Sequence, residues 1–260
     1  MVFAAGMLLA AALTYPFVTQ LDRVGRSENS DGQWSIWSVA WVARTLVTDP
    51  ANLFNANIFY PHQQTLAFSE NNLAAGVVAA PVYWASKNPY LALNVVFLLS
   101  LGFSFSGAYY LVRHLTGDRR AAVVSGICFA FCPYVFGRTS HIQLLIIGGL
   151  PFTLLAFHRL LDVPGWRRGA VLGLAVAAQA TISGYYAILT TLMLVVAVIT
   201  AVITRHLWKD RRFWYAMAVG AAVAIVCVLP LALPYLRLQR FSGFTRPLTE
   251  AAQYSADWRA

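Results

Sequence analysis

Charge is scarce in this sequence: only 11% of its 260 residues are Asp, Glu, Lys or Arg, against about a quarter in a soluble globular domain. That shortage excludes an ordinary water-exposed fold. Acidic residues number only ten, and no charged residue falls in the middle of a long apolar run, which argues against a proton-coupled pump or an ion channel. Cysteine is limited to Cys128, Cys132 and Cys227. All three lie inside apolar runs and supply neither a disulfide framework nor an exposed metal cluster. Internal repeats and low-complexity segments are missing too, so residues 1–260 read as a single transmembrane domain.

What is abundant is apolar surface, with 59% hydrophobic residues and a mean hydropathy of +0.61. A helix needs roughly 20 apolar residues to cross a bilayer. Apolar runs extend over about Val2–Val18, Tyr90–Val112, Ala121–Phe136, Ile142–Leu160, Gly169–Ser183, Tyr186–Thr204 and Phe213–Leu236. The pattern predicts an all-α membrane protein of about seven transmembrane helices. The first run has no basic leader and no small-residue cleavage site, so it is expected to stay as a span. The chain stops in a polar segment after the last run, which reads like a truncated C-terminus.

The excess of 19 basic over ten acidic residues gives +9 and a pI near 9.8. In this context it reports orientation rather than nucleic-acid binding. Ten of the 19 basic residues fall in three short breaks, 113–120, 159–168 and 205–212. If these are cytoplasmic, then the N-terminus is cytoplasmic too. The first loop (about 19–89), the Arg138–His141 corner, the Ser183 hairpin and the tail from Arg237 then face outward. The expected location is the inner (plasma) membrane, multi-pass.

The long first loop holds the candidate chemistry. Trp34, Trp37 and Trp41 recur at helical spacing after Ser30-Asp31-Gly32-Gln33, and Ser30 with Gln33 has capping-box spacing. The stripe predicts an amphipathic helix flat at the headgroup boundary, with Asp31 in its first turn. A second short apolar patch, Leu73–Ser86, predicts another juxtamembrane helix with Glu70 just before it. Helix-dipole stabilisation alone would account for either carboxylate. His62, in Tyr60-Pro61-His62, could orient a substrate hydroxyl or simply solvate a turn. Gln179 and Thr181 are polar groups within the fifth run and should seek partners in the bundle.

One span, a long outer loop with two juxtamembrane helices and an early acidic residue, then six more spans: this layout resembles the seven-helix module of the GT-C superfamily of membrane glycosyltransferases. The stretches Asp31-Gly32-Gln33-Trp34, Phe59-Tyr60-Pro61 and Leu66-Ala67-Phe68-Ser69-Glu70 are similar to bacterial members. The resemblance implies Asp31 as the catalytic residue. It also implies a polyprenyl-phosphate sugar donor among the membrane lipids and a glycan, lipid or protein acceptor on the outer face. A carboxylate there could take the proton of the incoming hydroxyl. The leaving phosphate would need cationic donors, for which Arg138 and His141, then Arg237 and Arg240, are the candidates; the same groups would also serve as lipid anchors. A divalent cation, if used, would fall to Asp31, Glu28 or Glu70. Two other readings stand beside this one. A flippase for a lipid-linked glycan would depend on bundle-lining polar groups such as Gln179, whereas a non-catalytic membrane subunit would leave Asp31, Glu70 and Arg138 far apart.

Overall fold

A computed structural model describes residues 1–25, 29–242 and 248–253. The described residues form helices without a strand among them: α1 (Val2–Leu13), α2 (Ser30–Thr48), α3 (Leu73–Ser86), α4 (Pro89–Thr116), α5 (Arg119–Ala130), α6 (Pro133–Gly137), α7 (Ile142–Leu145), α8 (Gly149–Asp162), α9 (Trp166–Ile182), α10 (Gly184–Thr204), α11 (Arg211–Ser242) and α12 (Leu248–Gln253). The expectation of an all-α membrane protein holds. Among the described residues, four helices are long and apolar enough to cross a bilayer: α4, the Arg119–Gly137 stretch of α5 and α6, α10, and Arg211–Arg240 of α11. The remaining expected crossings rest on shorter pieces, α1 with 12 residues, α8 with 14 and α9 with 17.

Proline explains why two predicted spans are interrupted. The run Ala121–Phe136 breaks at Cys132, whose ψ of 159° is the extended backbone that a following Pro133 favours. The run Ile142–Leu160 breaks between Leu145 and Gly149. Pro151 there has no N–H to offer the carbonyl of Ile147, so a new helix starts instead of the old one continuing.

The helix ends at the basic breaks are capped locally. Asp118 accepts from the Arg120 N–H at 2.7 Å and Asp210 from the Arg212 N–H at 2.9 Å, each satisfying a first-turn donor. At the opposite, loop end, Asn88 accepts from the Leu91 N–H at 3.0 Å, and its amide donates to the Asp22 carbonyl at 2.8 Å. Buried Asn94 donates to the carbonyls of Leu21 and Val24, both at 2.8 Å. The start of the first loop is thereby bound to α4. Across the bundle, α9 and α11 approach closely because Gly169 and Gly173 face backbone. A Cβ on either would stand 2.1 Å from the Ala216 carbonyl oxygen or 2.3 Å from that of Gly220, a small-residue contact suited to membrane helices.

The tryptophan stripe of α2 also serves the protein's own first loop. Trp34 tilts against Trp37 and Trp37 stacks on Trp41, with ring centroids 5.0 and 6.1 Å apart, and the row turns toward that loop. Trp41 donates to the Leu53 carbonyl at 2.9 Å and Trp34 to the Glu70 carbonyl at 3.4 Å. Trp37 and Trp41 pack with Leu53, Phe54 and Ile58 around buried Val42, Ala56 and Leu66. The half-buried indoles cover the returning loop and satisfy two of its carbonyls.

Candidate functional site

The start of α2 is fixed by Asn29, not by the expected Ser30–Gln33 box. Asn29 lies in extended backbone just outside the helix and accepts from the Gly32 N–H at 2.9 Å, leaving Ser30 as the first helical residue. Asp31 then falls in the first turn, where the helix dipole favours a carboxylate. Two hydrogen bonds clasp this turn to the corner between α6 and α7: Asn29 donates to the Ser140 hydroxyl at 3.1 Å, and Ser35 to the Ser140 carbonyl at 2.7 Å. The clasp brings His141 Nε2 to 3.4 Å from Asp31 Oδ2.

Glu70 also departs from its expected part. The first turn of α3 is entered through Asn72 in a left-handed conformation, φ 50°. The Glu70 carboxylate reaches across to the start of α10 instead, accepting from the Ser183 hydroxyl and the Gly184 N–H, each at 3.4 Å. It therefore caps a helix far away in sequence. Burial pushes its pKa above the ordinary carboxylate range, against the opposing pull of hydrogen bonds from Gly184, Ser183 and Tyr185.

Asp31, Glu70, Arg138 and His141 line one cavity of about 1240 Å³ at the loop end of the bundle. Its upper wall is polar, and Arg138 lies 5.6 Å from the centre of the Tyr134 ring. Its floor is apolar: Ala180 of α9, Leu189 of α10 and Val228, Leu231 and Ala232 of α11. α10 and α11 both pack on α9. Leu189 and Leu236, each 53% exposed, leave the cavity's side open to hydrocarbon. A headgroup-and-chain amphiphile matches this division of polar and apolar walls.

Other expected site residues are placed apart. His62 is exposed and tilts against Phe68, with ring centroids 6.0 Å apart; it does not line the cavity. Arg237 and Arg240 are exposed on α11, beside the cavity-lining Leu236 and Gln239 but not on the wall. Glu28 lies outside the described residues. Among the described residues no group of three or more His, Cys, Asp or Glu side chains could hold a metal ion. Asp31 and His141 form a pair, and Glu70 is engaged by α10.

Several lining groups went unread in the sequence. Tyr186 is 6% exposed and donates to the Leu144 carbonyl at 3.0 Å. Tyr235 joins α11 to the loop, accepting from the Asn71 amide at 2.8 Å and donating to the Ser69 carbonyl at 3.2 Å. Gln143 is 7% exposed, and its Oε1 has no hydrogen-bond partner. Helical spacing could not reveal these contacts, which depend on which helix ends meet.

The family described as dolichyl-phosphate-mannose-protein mannosyltransferase matches residues 83–232, more than half of the chain. The chain belongs to this family. It is accordingly an integral membrane protein of the GT-C superfamily of glycosyltransferases. The mannosyltransferase-family match includes Arg138 and His141 but begins after Asp31 and Glu70. No curated protein and no solved structure matches the chain.

Proposed function

We propose that the chain transfers a sugar from a polyprenyl-phosphate carrier to an acceptor hydroxyl on the periplasmic or extracellular face, with its N-terminus cytoplasmic in the inner membrane. The acceptor is a glycan, lipid or protein. The convergence of Asp31, His141, Arg138 and Glu70 above an apolar, laterally open floor is the observation that supports this reading. The prenyl chain would lie along Leu189, Val228 and Leu231, with the sugar phosphate beneath the polar wall.

Asp31 acts as the general base. As the acceptor oxygen bonds to the anomeric carbon, its proton passes to the Asp31 carboxylate, and the bond from that carbon to the phosphate oxygen breaks. The polyprenyl phosphate leaves with the bonding electrons, and Arg138 meets the charge growing on it. His141, 3.4 Å from Asp31, orients the carboxylate. Arg237 and Arg240 anchor the mouth of the cavity to headgroups.

The flippase alternative gains no support from Gln179. Gln179 is fully buried, donates to the Ile146 carbonyl at 3.3 Å and abuts Gly149, so it ties α9 to the α7–α8 junction and does not line the cavity. The deciding experiment incubates the purified chain with a radiolabelled polyprenyl-phosphate mannose and extracted envelope acceptors. Label should move to the acceptor in wild type and not in Asp31→Asn. Equal transfer by both proteins would remove Asp31 as the base, and translocation without consumption of the donor would favour a flippase.

A further inference from the structure

A second hollow, of about 830 Å³, lies at the other end of the bundle, lined by Tyr110 and His114 of α4, Phe152, Leu155 and Arg159 of α8 and Val171 of α9, among others. It shares no lining residue with the cavity that holds Asp31. It lies beside α8, which has 14 residues against the 28 of α4. α4 and α8 touch at Gly107, where a Cβ would stand 2.9 Å from the Pro151 ring. They meet again at the helix ends, where His114 Nε2 lies 3.1 Å from Asp162 Oδ2. Between these two contacts the helices leave space.

The walls of this hollow are divided. Phe152, Leu155, Val171 and Ala175 are apolar, and Tyr110 and Val171, 41% and 56% exposed, lie on a rim open to the hydrocarbon side. Cationic groups gather at the helix ends. Arg168 donates to the Arg159 carbonyl, which holds its guanidinium at the end of α8 with most of its five donors still available. Arg159 lies on the same wall, and the carboxylate of Asp162 is taken up by His114. Two guanidinium groups at the polar end of an apolar groove complement a phosphate attached to a chain.

We propose that this hollow is a binding site for an anionic phospholipid of the leaflet at the basic end, its phosphate against Arg159 and Arg168 and one acyl chain along Phe152, Leu155 and Val171. Occupancy would fill the space between α4, α8 and α9 and so stabilise the bundle as a ligand does, by binding the folded state alone.

The test follows the thermal unfolding of the full, delipidated chain in detergent while phosphatidylglycerol, phosphatidylcholine or inorganic phosphate is added. Phosphatidylglycerol should raise the melting temperature by several degrees; phosphatidylcholine and inorganic phosphate should not. The double variant Arg159→Gln/Arg168→Gln should need at least about tenfold more phosphatidylglycerol for the same rise. Because Arg168 also bonds the end of α8, Val171→Trp provides a second variant at an exposed position that keeps both charges and blocks the groove, and it should lose the rise as well. An equal effect from phosphatidylcholine, the same rise from inorganic phosphate alone, or a wild-type response in both variants would each overturn the proposal.

Discussion

Asp31 Oδ2 lies 3.4 Å from His141 Nε2, so the first turn of a loop helix and the corner between two bundle helices present one carboxylate–imidazole pair to the same cavity. If Asp31 is the base, Asp31→Asn lowers kcat by about 10²- to 10⁴-fold and leaves donor KM and the melting temperature nearly unchanged. His141→Gln should cost less, and the double variant no more than Asp31→Asn alone, because the imidazole acts through the carboxylate. Steady-state kinetics on the four proteins checks this; additive losses would show that His141 acts independently of Asp31.

Glu70 makes stability depend on pH. Its folded-state pKa is raised by burial above its ordinary value of 4.5, so the folded state holds the proton more tightly than the unfolded chain. Its contribution is therefore fully favourable below about 4.5 and is lost as pH rises through the raised folded value. Glu70→Gln can still accept from Ser183 and Gly184 and carries no buried charge. It should match wild type in acid, melt higher than wild type at neutral pH and show a flatter pH profile, as read from thermal melts across pH 4 to 8.

Gln143 sets stability against function. A buried amide oxygen without a partner costs roughly 1–3 kcal/mol, so Gln143→Leu should raise the melting temperature. If that oxygen serves a substrate hydroxyl, the same variant should lose about tenfold in kcat/KM, since one uncharged hydrogen bond contributes roughly 0.5–1.5 kcal/mol. A stabilised variant with full turnover would mean that Gln143 does not touch substrate.

The two loop helices lock through Gly76, where a Cβ would stand 2.4 Å from the Val42 side chain. Gly76→Ala should destabilise by about 1–3 kcal/mol through overpacking. Adding Val42→Gly, which removes the Cβ as well as the Cγ atoms at that distance, should recover part of that loss, and a double-mutant cycle measures the coupling. Loss in Gly76→Ala without recovery would place the strain elsewhere.

Composition and apolar runs alone determined that this is an all-α membrane chain with a long first loop, because crossing a bilayer imposes length and hydropathy on each helix whatever its neighbours are. The same local logic placed α2 and α3 and drew attention to Asp31, Glu70, Arg138 and His141. Partnership was beyond it. Only the tertiary structure decided that the tryptophans cover the chain's own loop, that Glu70 caps α10 and that Gln179 clasps α8, because hydrogen bonds between distant segments depend on which helix ends meet, and spacing along one helix carries no record of that.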